Sequence, residues 1–348
     1  MKKINFLFKT NEMIEDVAKL FEFYSDKLNC PNNTENAQSK MDISHNLKTV
    51  VEIIERFGFN KSFDSFNYVD RQTKKLLLKK NKALVLFSGG KDSVASAIKL
   101  KNEGYDTTLY FLKGINKAYP KEIESARECA DLLGLPLVVQ ELNISGVGSF
   151  LENPVKNLVI YACGFSYGAK NSIGTYVFGN HREETLDKAN FDRDFSDSFE
   201  LIKAYTEYIE KENCAKIYQP TILDNVLSAI DIVYENDKKL FNVLNGCISP
   251  NRFQKKLKAI NETKYNVKLF KHECGSCWKC CVRYIYAVDK NYEKNINKEY
   301  YKHCLNVLKT KIKTERQRFM GEHSLSNAYR LFIGAEPSEK YYNIVKEK

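Results

Sequence analysis

The chain has 348 residues, is 43% hydrophobic and carries a formal charge of +10. Its length and apolar content support one large core with two or three structural units. No apolar run approaches the roughly 18 residues of a spanning helix, and Met1–Thr10 develops no secretory h-region. Ten cysteines without an export signal point to a reducing cytoplasmic setting, where thiols serve as metal ligands, catalysts or buried apolar groups. The positive charge is spread along a Lys-rich chain, so it allows a nucleic-acid partner without favouring one. The densest basic stretch, 309–318, reads as a solvated helix face.

In chain order, residues 1–80 read as a mainly helical extension. Ile14, Val17, Leu20, Phe21 and Tyr24 recur at helical spacing, and a polar loop around Pro31 follows. From Lys82 the pattern changes to a continuous apolar run, then Ser-Gly-Gly-Lys-Asp-Ser, then an amphipathic helix stopped by Gly104. A strand over 107–112, a helix ending at Gly134 and a strand over 136–142 come next. A helix around 158–171, a strand over 175–179 and helices over 198–210 and 221–235 complete residues 81–245. Alternation of this kind predicts an α/β fold with a parallel sheet covered by helices on both faces. Residues 246–290 form a cysteine-rich region, and 291–348 read as a helical C-terminal extension.

Ser88, Gly89, Gly90, Lys91, Asp92 and Ser93 sit where a parallel sheet places ligands, between the carboxyl end of a strand and the start of a helix. Glycines let backbone approach phosphate oxygens, and free N–H groups with the helix dipole favour negative charge there. Ser88 and Ser93 add hydroxyls, and Lys91 adds a cation. A Walker A loop is excluded, because it would need glycine at Val85 and a hydroxyl at Asp92. An ordinary capped glycine turn is the rival reading.

Cys274, Cys277 and Cys280 have the two-residue spacers that let thiolates converge on one ion. A tetrahedral structural zinc lacks one ligand in that set. Cys247 is the first choice for the fourth, with His272 and Cys281 as alternatives. An iron–sulfur cluster stays open as the rival to zinc. Cys129 and Cys163 fall on apolar helix faces and read as buried structural residues, and Trp278 reads as packing against the knuckle.

The loop resembles the SGGxDS signature of the PP-loop ATP pyrophosphatases. The order Cys274-Gly275, Cys277, Cys280 followed by Val282-Arg283 is similar to the cysteine motif of 7-cyano-7-deazaguanine synthases within that family. Pro154-Val155-Lys156-Asn157 stands where that family has proline followed by Arg-Asn. Gly179-Asn180-His181-Arg182-Glu183-Glu184 stands where it has a Gly-x-Asn-x-x-Asp turn, and Asp194 stands against the aspartate of its Tyr-Pro-Asp-Cys element. Departures are the long spacer 248–273 before Cys274, Lys113-Gly114-Ile115-Asn116-Lys117 in place of Tyr-Gly-Gln-Arg, and the N-terminal extension.

The resemblance implies an adenine nucleotide α-hydrolase-like domain with a zinc knuckle, using ATP, Mg²⁺ and Zn²⁺. It also implies a carbon–nitrogen ligase that adenylates a 7-deazaguanine carboxylate and captures it with an amine as amide or nitrile. Relatives with added termini occur in anti-phage defence operons and suggest a protein acceptor. Asp92, Ser93 and Lys91 are then the catalytic candidates. Ser88 to Ser93 hold nucleotide, and Asn180, His181, Glu184 and Asp194 face substrate; apart from the resemblance, Glu183 and Glu184 read either as carboxylates for Mg²⁺ or as first-turn residues that complement a helix dipole. A homodimer is compatible with this reading. Two rivals stand beside it: a tRNA-thiolating enzyme and a non-catalytic ATP-binding module.

Overall fold

The computed structural model describes residues 4–6, 11–29, 40–56, 65–71, 76–115, 122–144, 153–179, 199–213, 215–221, 226–247, 249, 251–292 and 297–318. The apolar run after Lys82 lies in a strand, Lys79–Leu86, whose later residues are buried on both sides. Continuous rather than alternating hydrophobicity is what a central parallel strand requires, because helices cover both its faces. Numbered in chain order, the strands are β1 (Ile4–Phe6), β2 (Met41–Ser44), β3 (Phe66–Val69), β4 (Lys79–Leu86), β5 (Asp106–Lys113), β6 (Leu137–Ile144), β7 (Ile173–Val177) and β8 (Lys216–Tyr218). The helices are α1 (Glu12–Asn29), α2 (Lys48–Arg56), α3 (Lys91–Asn102), α4 (Glu122–Leu133), α5 (Lys156–Lys170) and α6 (Phe199–Asn213), followed by α7 (Val226–Asn236), α8 (Lys238–Val243), α9 (Asn251–Tyr265), α10 (Trp278–Asp289) and α11 (Lys298–Arg318).

Among the described residues the main sheet runs β1-β6-β5-β4-β7-β8. Five strands are parallel, and β1 closes one edge antiparallel to β6. The chain leaves β4 for β5 and β6 on one side, then crosses back to β7 and β8 on the other. The reversal beside β4 makes the carboxyl ends of β4 and β7 the topological switch point of the sheet, the place where such sheets bind ligands.

Side chains leave a strand on alternate faces, and β4 therefore feeds two cores. Ala83, Val85 and Phe87 join the core under α3, α4, α7, α10 and α11. Leu84 joins the core formed with α1, α2, α5 and α6. Ile14, Val17, Leu20, Phe21 and Tyr24 all lie in the second core, so the stripe read from the sequence is the buried face of α1. Helices α3 and α4 stop near Gly104 and Gly134, whose φ values of +81° and +64° are the left-handed geometry of a helix terminus.

The N-terminal 80 residues also contain strand. Besides α1 and α2 they supply β1 and the parallel pair β2–β3. Strands this short carry no readable period, and the sequence reading did not anticipate them or β8. An ion pair ties this region together: Asp16, 1% exposed, accepts from Arg71 Nη2 at 2.7 Å and Nε at 3.2 Å, and from the Ser44 amide at 3.0 Å. Asp16→Ala leaves a guanidinium and a buried amide without their acceptor. It is expected to lower stability by about 2–4 kcal/mol, read from urea unfolding. No helix among the described residues is long and apolar enough to cross a membrane.

Candidate nucleotide site and four-cysteine cluster

The loop after β4 folds tightly on itself. Ser93 Oγ donates to Gly90 O at 3.1 Å and accepts from the Ser88 amide at 3.3 Å, and the Gly90 amide donates to Ser88 Oγ at 3.3 Å. Gly89 has φ +71°, and a Cβ on it would lie 2.7 Å from Ala126 N and 2.9 Å from Ala126 Cα. Gly90 is the N-cap of α3 and gives it no side-chain cap. The first-turn amides and the positive end of a three-turn helix are thus presented at the switch point, the arrangement that holds phosphate.

Lys91 and Asp92 form an ion pair at 2.6 Å. The other carboxylate oxygen of Asp92 is buried, with no hydrogen-bond partner among the described residues. A buried carboxylate oxygen without a donor is costly, and a Mg²⁺ ion or its water would satisfy it. From the opposite side Gly179, just past β7, packs on the same turn: a Cβ there would stand 2.9 Å from Ser93 N. Asn180, His181, Glu183, Glu184 and Asp194 follow it in sequence and lie outside the described residues. Lys156 begins α5 and is nine-tenths buried.

The carbonyl of Gly89 is gripped from behind. It accepts from the Asn245 amide at 2.8 Å and from Ser125 Oγ at 3.3 Å. Ser125 Oγ also donates to Val243 O at 2.7 Å. Neither Ser125 nor Asn245 was legible as a support of the loop, since each is an ordinary polar residue far away in sequence. Cys129 lies on the same buried face, and burial pushes its thiol up to about 12, as expected of an inert structural cysteine.

Cys247, Cys274, Cys277 and Cys280 come together with their Sγ atoms all within 4.8 Å of one another. Zn–S bonds of about 2.3 Å in a tetrahedron put sulfurs close to 3.8 Å apart, so the cluster fits a structural zinc. Cys274 Sγ accepts from Ser249 Oγ at 3.1 Å and from the amides of Ser276 and Cys277 at 3.3 Å, donors that suit a metal-bound thiolate. Hydrogen bonds from Cys247, then Cys277 and Cys280, hold Cys274 far below the usual thiol range. Cys247, pushed up by its bond to Cys274 but brought down by those to Cys277 and Cys280, comes to about 7. Bonding to Cys247 and Cys274 pushes Cys277 and Cys280 up.

The alternative fourth ligands lie elsewhere. His272 Nε2 stands 3.5 Å from Glu128. Cys281 points into the core, where its hydrogen bond with Cys304 and then burial push it up. The long spacer before Cys274 is explained by α9, which occupies most of it and brings the chain back. Asn261 of α9 donates to Cys274 O at 2.9 Å and Ser276 Oγ at 2.7 Å. Trp278 is partly buried against the main core, with Lys279 Nζ 5.5 Å from its ring.

No family model matches the chain. A solved structure titled as a predicted subunit of tRNA methyltransferase from Methanocaldococcus jannaschii aligns with TM-score 0.32 and 17% identity over 53% of this chain and 87% of that one, a likeness too low to bear on fold or function. The 7-cyano-7-deazaguanine synthase of Saccharolobus solfataricus is 43% identical over 60 residues, 17% of this chain. The aligned stretch spans only 13% of that protein's length. The likeness to 7-cyano-7-deazaguanine synthase is confined to that stretch.

Proposed function

We propose that the chain is an ATP-dependent carbon–nitrogen ligase that activates a 7-deazaguanine carboxylate. The observation that carries this reading is the turn Ser88–Ser93, with its uncapped helix end and the unpartnered oxygen of Asp92 at the switch point of the sheet. A carboxylate oxygen of the substrate attacks the α-phosphorus of ATP, the bond to the bridging oxygen breaks, and pyrophosphate leaves into the loop. Backbone amides of the α3 N-terminus and Lys91 stabilise its charge. An amine then attacks the acyl carbon, AMP leaves, and the amine nitrogen loses a proton to give an amide. Loss of water from a primary amide would need a second activation and gives the nitrile. Zinc held by Cys247, Cys274, Cys277 and Cys280 would cross-link the chain and take part in no step.

Asp92 holds Mg²⁺ in this reading. Asn180, His181, Glu184 and Asp194 read the base, and the amine is ammonia or a group on a partner protein. Incubation with Mg-ATP, the carboxy-deazaguanine and ammonia or a candidate protein, analysed by mass spectrometry, tests the reading. An amide, a nitrile or a mass-shifted protein, with one AMP per amide, is the expected result. AMP formed only with tRNA and a sulfur donor would support thiolation instead, and ATP binding without AMP under any substrate would reduce the chain to a binding module. Asp92→Asn should lower AMP formation by about a hundredfold, on the scale of losing one charge-stabilising group, while leaving the thermal midpoint within a few degrees of wild type.

A further inference from the structure

The cysteine cluster and the phosphate loop share one short piece of chain. Segment 241–247 leaves α8, touches the loop at Asn245 and reaches the cluster two residues later at Cys247. Asn245 pairs with Gly90 as a parallel bridge, and its amide holds Gly89 O at 2.8 Å. In a trans peptide the C=O and N–H point opposite ways. Fixing the Gly89 carbonyl on Asn245 therefore turns the Gly90 amide toward Ser88 Oγ, across the loop.

The cluster holds the segment a second time through Arg283, one helical turn after Cys280. Its guanidinium donates to Leu244 O at 3.1 Å and to Phe241 O, and its Cζ lies 4.6 and 4.4 Å from the rings of Phe241 and Phe270, which meet each other edge to face. Glu273, next to Cys274, stands 3.5 Å from Arg283 Nε. Both charged side chains are buried, at 6% and 1% exposure. Such a pair adds little stability over an apolar one, and what apolar packing could not supply here is the hold on two carbonyls. A planar fork that grips two carbonyls at once against two aromatic rings is a task lysine does not match.

We propose that segment 241–247 is a strut through which metal occupancy of the four-cysteine cluster sets the geometry of the phosphate loop, with Arg283 as its positioning residue. Metal fixes Cys247 and so Asn245; Arg283 fixes Phe241 and Leu244; between them the carbonyl of Gly89 has one direction. Without metal or without the fork, the loop amides lose their common aim. The nucleotide arm of the test rests on the function proposed above, and the exchange arm does not.

The experiment is hydrogen exchange by mass spectrometry on peptides covering residues 88–93 and on α1, on the other side of the sheet. Wild type is compared zinc-loaded and chelator-stripped, beside Arg283→Lys and Arg283→Met, with zinc content measured for each and Mg-ATP binding by calorimetry. Both variants should keep one zinc per chain, exchange faster at 88–93 with α1 unchanged, and bind Mg-ATP about tenfold more weakly, within the usual range of coupling between sites. Stripping zinc should do the same, and stepwise return of zinc should restore protection at 88–93 in proportion. Unchanged exchange at 88–93 in zinc-loaded Arg283 variants, or an equal rise in α1, would overturn the strut. If the variants do not fold, the zinc titration of wild type decides: protection at 88–93 that ignores zinc content overturns it. A wild-type protein that binds no nucleotide would sink the ligase reading and leave the exchange result standing.

Discussion

Gly89→Ala should weaken Mg-ATP binding by about a hundredfold, whereas Gly90→Ala should cost less than about tenfold. At Gly89 a side chain meets two obstacles together. The φ of +71° costs a non-glycine residue about 1–2 kcal/mol. The new Cβ would also press on Ala126 N and Cα at 2.7 and 2.9 Å, backbone atoms of α4 that cannot swing aside. The loop must move, and with it the amides proposed to hold the phosphates. At Gly90 the φ is −82°, and the nearest atom to a Cβ is Ser88 Oγ at 3.2 Å, the end of a rotatable side chain. Calorimetric titration of both variants checks the ordering. Equal affinities would mean that the backbone of this turn does not hold the nucleotide.

Cys274→Ser should remove about one zinc per chain and lower the thermal midpoint by roughly 10 °C. Cys274 Sγ is the acceptor for Ser249 Oγ and for the amides of Ser276 and Cys277. Structural zinc contributes its binding energy to folding, and a loss of several kcal/mol moves the midpoint by a few degrees for each. Cys281→Ser changes the cysteine next door, which belongs to the core contact with Cys304 rather than to the cluster. It should keep full zinc and lose only about 1–3 kcal/mol from a poorly satisfied buried hydroxyl. Metal analysis and thermal unfolding of the two variants separate ligand from neighbour. Zinc lost from Cys281→Ser but not from Cys274→Ser would reassign the site.

The central sheet was legible because its strands announce themselves physically. Ala83 to Phe87 and Leu109 to Leu112 are apolar runs flanked by turn residues, and the phosphate turn lies between one such strand and a helix with Gly104 at its end. The cysteine spacers were legible for the same reason: local geometry alone brings Cys274, Cys277 and Cys280 to one point. What was not legible depends on contacts distant in sequence. Strands β1, β2, β3 and β8 are too short to show a period, and only pairing with β6, with each other or with β7 makes them strands. Cys247 is the first choice for the fourth ligand ahead of His272 and Cys281, and the cluster contains it, although spacing alone could not show how α9 folds the chain back to Cys274. Ser125 and Asn245 carry no motif at all, and Arg283 reads only as the end of the cysteine motif; their roles exist only where α4, segment 241–247 and α10 meet the loop. The substrate-facing candidates from Asn180 to Asp194 lie outside the described residues, and Gly179, the last residue described before them, packs on Ser93.

Carboxylate attack on ATP leaves an isotopic record. With both carboxylate oxygens of the deazaguanine acid labelled as ¹⁸O, turnover with ammonia should give AMP carrying one heavy oxygen on its phosphate, pyrophosphate carrying none, and an amide retaining the other. Heavy oxygen absent from AMP while amide forms, or appearing instead in inorganic phosphate, would contradict activation at the α-phosphorus by the turn Ser88–Ser93.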